Sequence, residues 1–230
     1  MVTVEGKAAQ SVRTVRTVRS ARSPRSEGTR ETILAVAERM FAEHGVFAVS
    51  NRQISEAAGQ GNNAAVGYHF GTKTDLLRAV VRRHAGRIDT LRERMLAETG
   101  DSHRVRDWVA CLVRPGIQHL AELGSPTWYA RFGAQLMADP VLRELMIDEA
   151  FGPSVQRALE GLNNCLPGLP PPVRLERGDM ARLTLVHTLA ERERALADGT
   201  HPARPGWDAC ATGLIDALTG LWLAPATPGP

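Results

Sequence analysis

Apolar positions in this chain recur in steps of three and four over long stretches, and nowhere in the strict alternation that marks a half-buried strand. Beginning at Thr29, which can cap a helix, Ile33, Ala37, Met40 and Phe41 share one face of a helix that stops at Gly45. From Lys73 the stripe Leu77, Val80, His84, Ile88, Leu91 and Met95 predicts one long helix to about Glu98. Ser102 is expected to start another with Val105, Trp108, Val109 and Leu112, and Pro115-Gly116 should kink or break it because proline removes a backbone donor. Ser125-Pro126 and Asp139-Pro140 each pair an N-cap residue with a first-turn proline and predict two more helix starts, the second helix being interrupted at Gly152-Pro153. Asn163 to Pro172 reads as a loop, followed by a helix from about Val173 to Asp198, a loop around Gly199 to Gly206 and a last helix from Trp207 to about Leu223. The expected fold is all-α with about nine helices, and no period of roughly 20–50 residues suggests a solenoid.

Between the first and the long helix lies a compact signal, SNRQISEAAGQGNNAAVGYHFGTK, from Ser50 to Lys73. Ser50 and Gln53 make an S-x-x-Q capping box, and Val49 and Ile54 occupy the two positions of a hydrophobic staple. Gly59 can take the positive φ that ends a helix after two turns, and Asn62 is a good N-cap for a second short helix carrying Val66, Tyr68, His69 and Phe70. Helix, tight turn and helix within about twenty residues is the arrangement that reads the DNA major groove. Thr72 and Asp75 form a further box-like start, which puts Lys73 at the first helical position, where the macrodipole disfavours a cation by roughly 0.3–1 kcal/mol. Lys73 there is either a solvated lysine or one that faces an anion such as a DNA phosphate.

Taken with the preceding F-A-E-H-G, these residues closely resemble the N-terminal DNA-binding domain of TetR-type transcriptional regulators over about Thr29 to Leu77. The resemblance implies that Ser50, Arg52, Gln53, Tyr68, His69 and Lys73 lie at the DNA, mostly on phosphates, while Asn62 and Asn63 approach base edges. It also implies a two-fold operator bound by a homodimer, a small-molecule effector held in a helical body, no cofactor and a cytoplasmic repressor. Two positions depart from the usual pattern: the turn is one residue longer, with Gln60 and Gly61 ahead of Asn62, and Gly67 replaces a common aromatic residue.

Charge adds a location. The chain carries +3 in all, yet residues 1–28 alone hold Lys7, Arg13, Arg16, Arg19, Arg22 and Arg25 against Glu5 and Glu27, so the remainder is close to neutral. This stretch lacks any periodicity that could fold and is expected to be a disordered extension, either a solvated leader or an arm that tracks phosphates. The domain reading is therefore 1–28 extension, 29–75 DNA-binding head, 76–224 effector-binding and dimerisation body, and 225–230 frayed end. No apolar run reaches the roughly 18 residues needed to span a bilayer, and three scattered cysteines suit buried thiols better than a disulfide or zinc site. The loose G-x-G-x-x-A at Gly59 to Ala64 follows a helix rather than a strand, so it is not read as a nucleotide loop. With no hydrolase elbow, phosphate loop or H-E-x-x-H, neither a catalytic nor a metal site is expected; the rival reading is a helical carrier or enzyme that retains the motif.

In the body, Trp108, Cys111, His119, Trp128, Phe132, Gln135 and Met180 either pack a core or line the effector cavity that the resemblance implies, which would favour a flat apolar guest. On the last two helices Leu183, Val186, Leu214, Leu218, Leu221 and Trp222 offer apolar surface for a second copy.

Overall fold

The computed structural model describes residues 24–200 and 206–226, which form ten helices. The head comprises α1 (Pro24–His44), α2 (Asn51–Ala57), α3 (Ala65–Phe70) and the start of α4 (Lys73–Thr99). The body continues with α5 (Val105–Leu123), α6 (Tyr129–Ala138), α7 (Pro140–Ala150), α8 (Pro153–Asn164), α9 (Pro171–Ala197) and α10 (Trp207–Leu223). The long helix and the last helix therefore fall where the spacing put them. The proposed arm up to residue 23 and the loop residues 201–205 lie outside the described residues.

Several local readings need correction, among them the expected loop Asn163 to Pro172, whose two ends belong to α8 and α9. Helix α1 starts at Pro24, so Thr29 is an interior residue and residues 24–28 belong to the head; a proline at the first position loses nothing there because that N–H has no helical partner. Ser102 precedes α5 by a turn, its hydroxyl donating to Asp107 and accepting from the Arg104 N–H, and the helix itself begins at Val105. Pro115 does not break α5. Lacking an N–H, it leaves the Cys111 carbonyl without its helical donor, and Arg92 Nε of α4 supplies the missing bond at 3.3 Å. Finally, Ser125-Pro126 sits in a loop and α6 opens only at Tyr129, capped from across the body. Glu193 of α9, 2% exposed, accepts from the Thr127 hydroxyl, the Ala130 and Arg131 N–H groups and the Arg131 guanidinium. Asp139-Pro140 does behave as read, with the Asp139 carboxylate taking the Val141 and Leu142 N–H groups.

Two apolar cores result. One joins head to body: Ile33, Leu34, Ala37 and Phe41 of α1 pack with Val49, Ile54, Val66, Leu76 and Val80, and Phe41 stacks on Phe132 of α6 at 6.0 Å. The other gathers Val109, Val113 and Ile117 of α5, Leu162 of α8, and Cys210, Leu214, Ile215, Leu218 and Trp222 of α10. The Trp108 indole lies against the α8 backbone so closely that a Cβ at Gly161 would fall 2.3 Å from the ring, and its N–H donates to the Ser102 carbonyl.

Polar groups cross the first core. Glu38 of α1, His84 of α4 and His119 of α5 are buried in a line with successive contacts of 2.8 Å, and the Tyr129 ring stacks on His84 at 4.0 Å. Burial, and next the neighbouring His84, push the His119 pKa down to about 4.

Glu193→Ala should cost about 3 kcal/mol, because it strands a half-buried guanidinium, a hydroxyl and two helix-start N–H groups at once; a fall in thermal midpoint that Glu193→Gln partly restores is the expected result. For His119 the folded pKa lies below the free value, so the fold binds fewer protons there than the unfolded chain. Stability is full above about pH 7 and falls as pH drops through 6.5 towards 4, by roughly 2 kcal/mol at pH 5. Urea unfolding at pH 7.5 and 5 should show this loss, and show less of it in His119→Gln.

Candidate nucleic-acid interface

The Ser50 box is formed: the Ser50 hydroxyl accepts from the Gln53 N–H at 3.3 Å and the Gln53 carboxamide oxygen accepts from the Ser50 N–H at 2.8 Å. This fixes the start of α2 and occupies the Gln53 oxygen. Val49 and Ile54 are both buried beneath it. Gly59 ends the helix at φ +67°, in the left-handed region that favours glycine.

The start of α3 differs from the reading. Asn62 caps not the helix but the turn ahead of it: its Oδ1 accepts from the Ala64 N–H at 2.9 Å and its carbonyl from the Ala65 N–H at 3.0 Å. The longer turn absorbs its extra residue in this way, so α3 begins at Ala65 and keeps only six residues. Ala65 and Val66 face the core, whereas Asn62, Asn63, Gly67 and Tyr68 are exposed and His69 is half-buried. Tyr68 is 82% exposed with its ring edge-on to His69 at 5.0 Å, an aromatic that the fold itself does not use. Space around Gly67 is open, so the fold does not demand glycine there.

Sequence reading missed Ser55. Fully buried, it donates to the Asn51 carbonyl at 3.0 Å and accepts from the Val66 N–H at 3.4 Å, which ties the second turn of α2 to the first of α3. A serine beside Ile54 on the apolar side of so short a helix was the available signal.

Lys73 is at the first position of α4 behind the Thr72–Asp75 box, as expected. Its ammonium, however, donates to the Val49 carbonyl at 2.6 Å and lies 5.7 Å from the Phe41 ring centroid, and burial lowers its pKa. An external anion is thus not needed to explain it; Lys73 braces the chain entering α2 from below. Arg52 is exposed and paired with Glu56 at 2.8 Å, one turn along α2. Ser50, Arg52, Asn62, Asn63 and Tyr68 are each exposed, whereas His69 and Lys73 are half-buried.

From this surface α4 leads into the body. Arg78 and Arg82 pair with Glu149 of α7, and Arg87 pairs with Glu122 of α5. Further along, Arg92 is buried and also reaches Ser154 of α8 at 3.2 Å; burial pulls its pKa down.

The residues suggested for an effector cavity are not brought together. Phe132 is core beneath Phe41, His119 is in the buried polar line, Cys111 is closed behind Arg92, Trp128 is half-buried beside the first core, Gln135 is exposed near Gly45 and Met180 is exposed on α9. Of that set Trp108 borders a sizeable groove, one of ≈ 510 Å³ whose other walls include Glu93, Leu96, His103, Arg157 and Cys165. The dimer set is likewise divided: Leu214, Leu218 and Trp222 are buried within the chain against α5, while Leu183 is exposed and Val186 and Leu221 are half-buried. Among the described residues no group of three or more His, Cys, Asp or Glu side chains converges to hold a metal, and no helix is long and apolar enough to cross a membrane.

Comparison with known proteins agrees with this geometry. Residues 33–80 match the family described as bacterial regulatory proteins, tetR family, and residues 110–220 match the tetracyclin repressor-like C-terminal domain. A stretch covering 52% of the chain is 31% identical to 57% of the HTH-type transcriptional repressor AcnR of Corynebacterium glutamicum. The AcnR of Corynebacterium efficiens is 39% identical over 30% of the chain and 37% of its own length. The matched stretch thus spans less than two thirds of these relatives. Among solved structures, the fatty acid degradation regulator FadR of Bacillus halodurans superposes with a TM-score of 0.55 at 17% identity, over 87% of this chain and 97% of that one. NalD, the secondary repressor of the MexAB-OprM multidrug efflux pump in Pseudomonas aeruginosa, gives 0.54 at 23% identity over 85% and 96%; both likenesses concern the fold. An all-α head with a helix-turn-helix, a larger helical body and matches to both family halves make this chain a member of the TetR family of DNA-binding transcriptional regulators.

Proposed function

We propose that the protein is a ligand-responsive repressor that binds a two-fold related operator as a homodimer. The observation that carries the DNA part is the exposed set Ser50, Arg52, Asn62, Asn63 and Tyr68, carried by two short helices and the turn between them, which a formed capping box and Ser55 hold in place. The direction of control follows that of the similar AcnR, a transcriptional repressor. A gel-shift titration against DNA flanking the protein's own gene tests the reading directly; no retarded complex at low salt would remove it.

The second copy is assigned to the outer face of α9. Leu175 (74% exposed), Met180 (51%) and Leu183 (46%) leave an apolar face unpaired, continued by Leu223 at the end of α10. An exposed apolar face of this kind is a place where a second copy can bury surface. Two heads held about 34–36 Å apart then meet successive major grooves, which calls for an inverted repeat in the operator. For the effector, the Trp108 groove in the body is of a size that suits a small molecule. A guest that prefers the non-operator arrangement by roughly 1–3 kcal/mol weakens operator binding about 5- to 150-fold, and operator DNA weakens guest binding equally.

These assignments separate by mutation. Arg52→Ala should lower affinity for all sequences and flatten the salt slope by about 0.9 without moving the thermal midpoint, and Tyr68→Ala should lower affinity with the slope unchanged because it removes no charge. Lys73→Ala should lower affinity and midpoint together, since it also frees the Val49 carbonyl. Asn63→Ala should relax preference at particular base pairs, as expected of a side chain suited to adenine. At the dimer face, Met180→Glu with Leu183→Glu should give a folded monomer in sedimentation, whereas Leu218→Glu should unfold the body. A monomeric wild type would end the dimer proposal.

A further inference from the structure

The buried line from head to body obeys a strict hydrogen count. Glu38 Oε2 is 2.8 Å from His84 Nε2, and His84 Nδ1 is 2.8 Å from His119 Nε2. Each contact must contain one hydrogen, because two lone pairs or two N–H groups facing each other at that distance repel. With Glu38 ionised, the neutral arrangement has His119 Nε2–H donating to His84 Nδ1 and His84 Nε2–H donating to the carboxylate. An added proton can stay on His119 as an imidazolium or be handed on: in the second arrangement His84 becomes an imidazolium donating at both ends, and His119 accepts at Nε2 while carrying its hydrogen on Nδ1. The proton enters at His119 Nδ1, the hydrogen of His119 Nε2 passes to His84 Nδ1, and the new charge rests beside Glu38.

The surroundings favour that placement. His119 resists becoming a cation itself, being buried and next to His84, while Arg87 and Glu122 near it satisfy each other at 2.8 Å. On the α1 side, Glu38 attracts a cation at His84, and Arg83 competes for the same oxygen from 3.4 Å while also facing Glu31 at 3.5 Å. From α6, Tyr129 presents its ring face to His84, and burial keeps its hydroxyl protonated with Arg92 as the remaining cation acting on it. Charge-assisted bonds are roughly twice as strong as neutral ones, so the protonated line grips α1 harder against α4 and α5.

We propose that Glu38, His84 and His119 form a proton-operated joint between head and body, through which operator affinity depends on pH. This rests on the operator reading given above. Wild type and His84→Gln are titrated with the operator duplex between pH 5.5 and 8 at constant salt; the carboxamide introduced by that substitution can donate to Glu38 and accept from His119, which fixes the neutral arrangement. The two proteins should bind alike at pH 8, and their dissociation constants should diverge by more than roughly threefold as pH falls. Parallel profiles with operator binding intact would overturn the joint, whereas absence of binding in both proteins at every pH would overturn the operator reading. Histidine ¹⁵N spectra of the wild-type chain without DNA decide independently of DNA. Across the same range His84 should gain its second N–H while His119 moves its hydrogen from Nε2 to Nδ1 and stays neutral. An imidazolium at His119, or no change in either ring, would overturn the proposal.

Discussion

Helix α4 carries two polar side chains that the fold buries, His84 and Arg92, and a half-buried one, Lys73; a buried group left without a partner on another element costs several kcal/mol. Lys73 finds the Val49 carbonyl, His84 finds Glu38 and His119, and Arg92 finds the Cys111 carbonyl and Ser154. These bonds recur along one rod and tie it in turn to the entrance of α2, to α1 and α5, and to α5 and α8. A shift of α4 cannot leave them all made. The rod is therefore a member under constraint at both ends rather than a passive spacer.

The same constraint explains why head and body share a core. Phe41 stacked on Phe132 and the Glu38 line both cross the boundary, so the head is seated on α6 as well as joined through α4. Peripheral ion pairs such as Arg82 with Glu149 are exposed on the arginine side and contribute little by themselves, but they guide the same seating.

Much of the reading surface was legible from local chemistry. The Ser50–Gln53 box, the Gly59 turn and the Thr72–Asp75 box depend on side chains three residues apart or on a single backbone angle, and they formed as the spacing indicated. The departures came where a distant residue overrode a local rule. Pro115 is tolerated because Arg92 takes over the orphaned carbonyl, and Ser125-Pro126 yields the start of α6 to a cap supplied by Glu193 of α9, far along the chain. Asn62 follows its preference for capping a turn, but the longer connection leaves that turn ahead of α3.

The helices, their order and the DNA-facing motif were readable from residue order alone, because helical periodicity and capping act over a few residues and survive any surroundings that keep the helix. Which apolar face meets which was not. Leu214 and Leu183 are equally apolar in sequence, yet one is sealed against α5 and the other faces outward. Packing also scattered the expected cavity residues and turned Lys73 from a side chain in want of an anion into a brace. Burial and polar partnership depend on the path of the whole chain, and side chains such as Glu38, His84 and Glu193 acquire their roles only when helices far apart in sequence close around them.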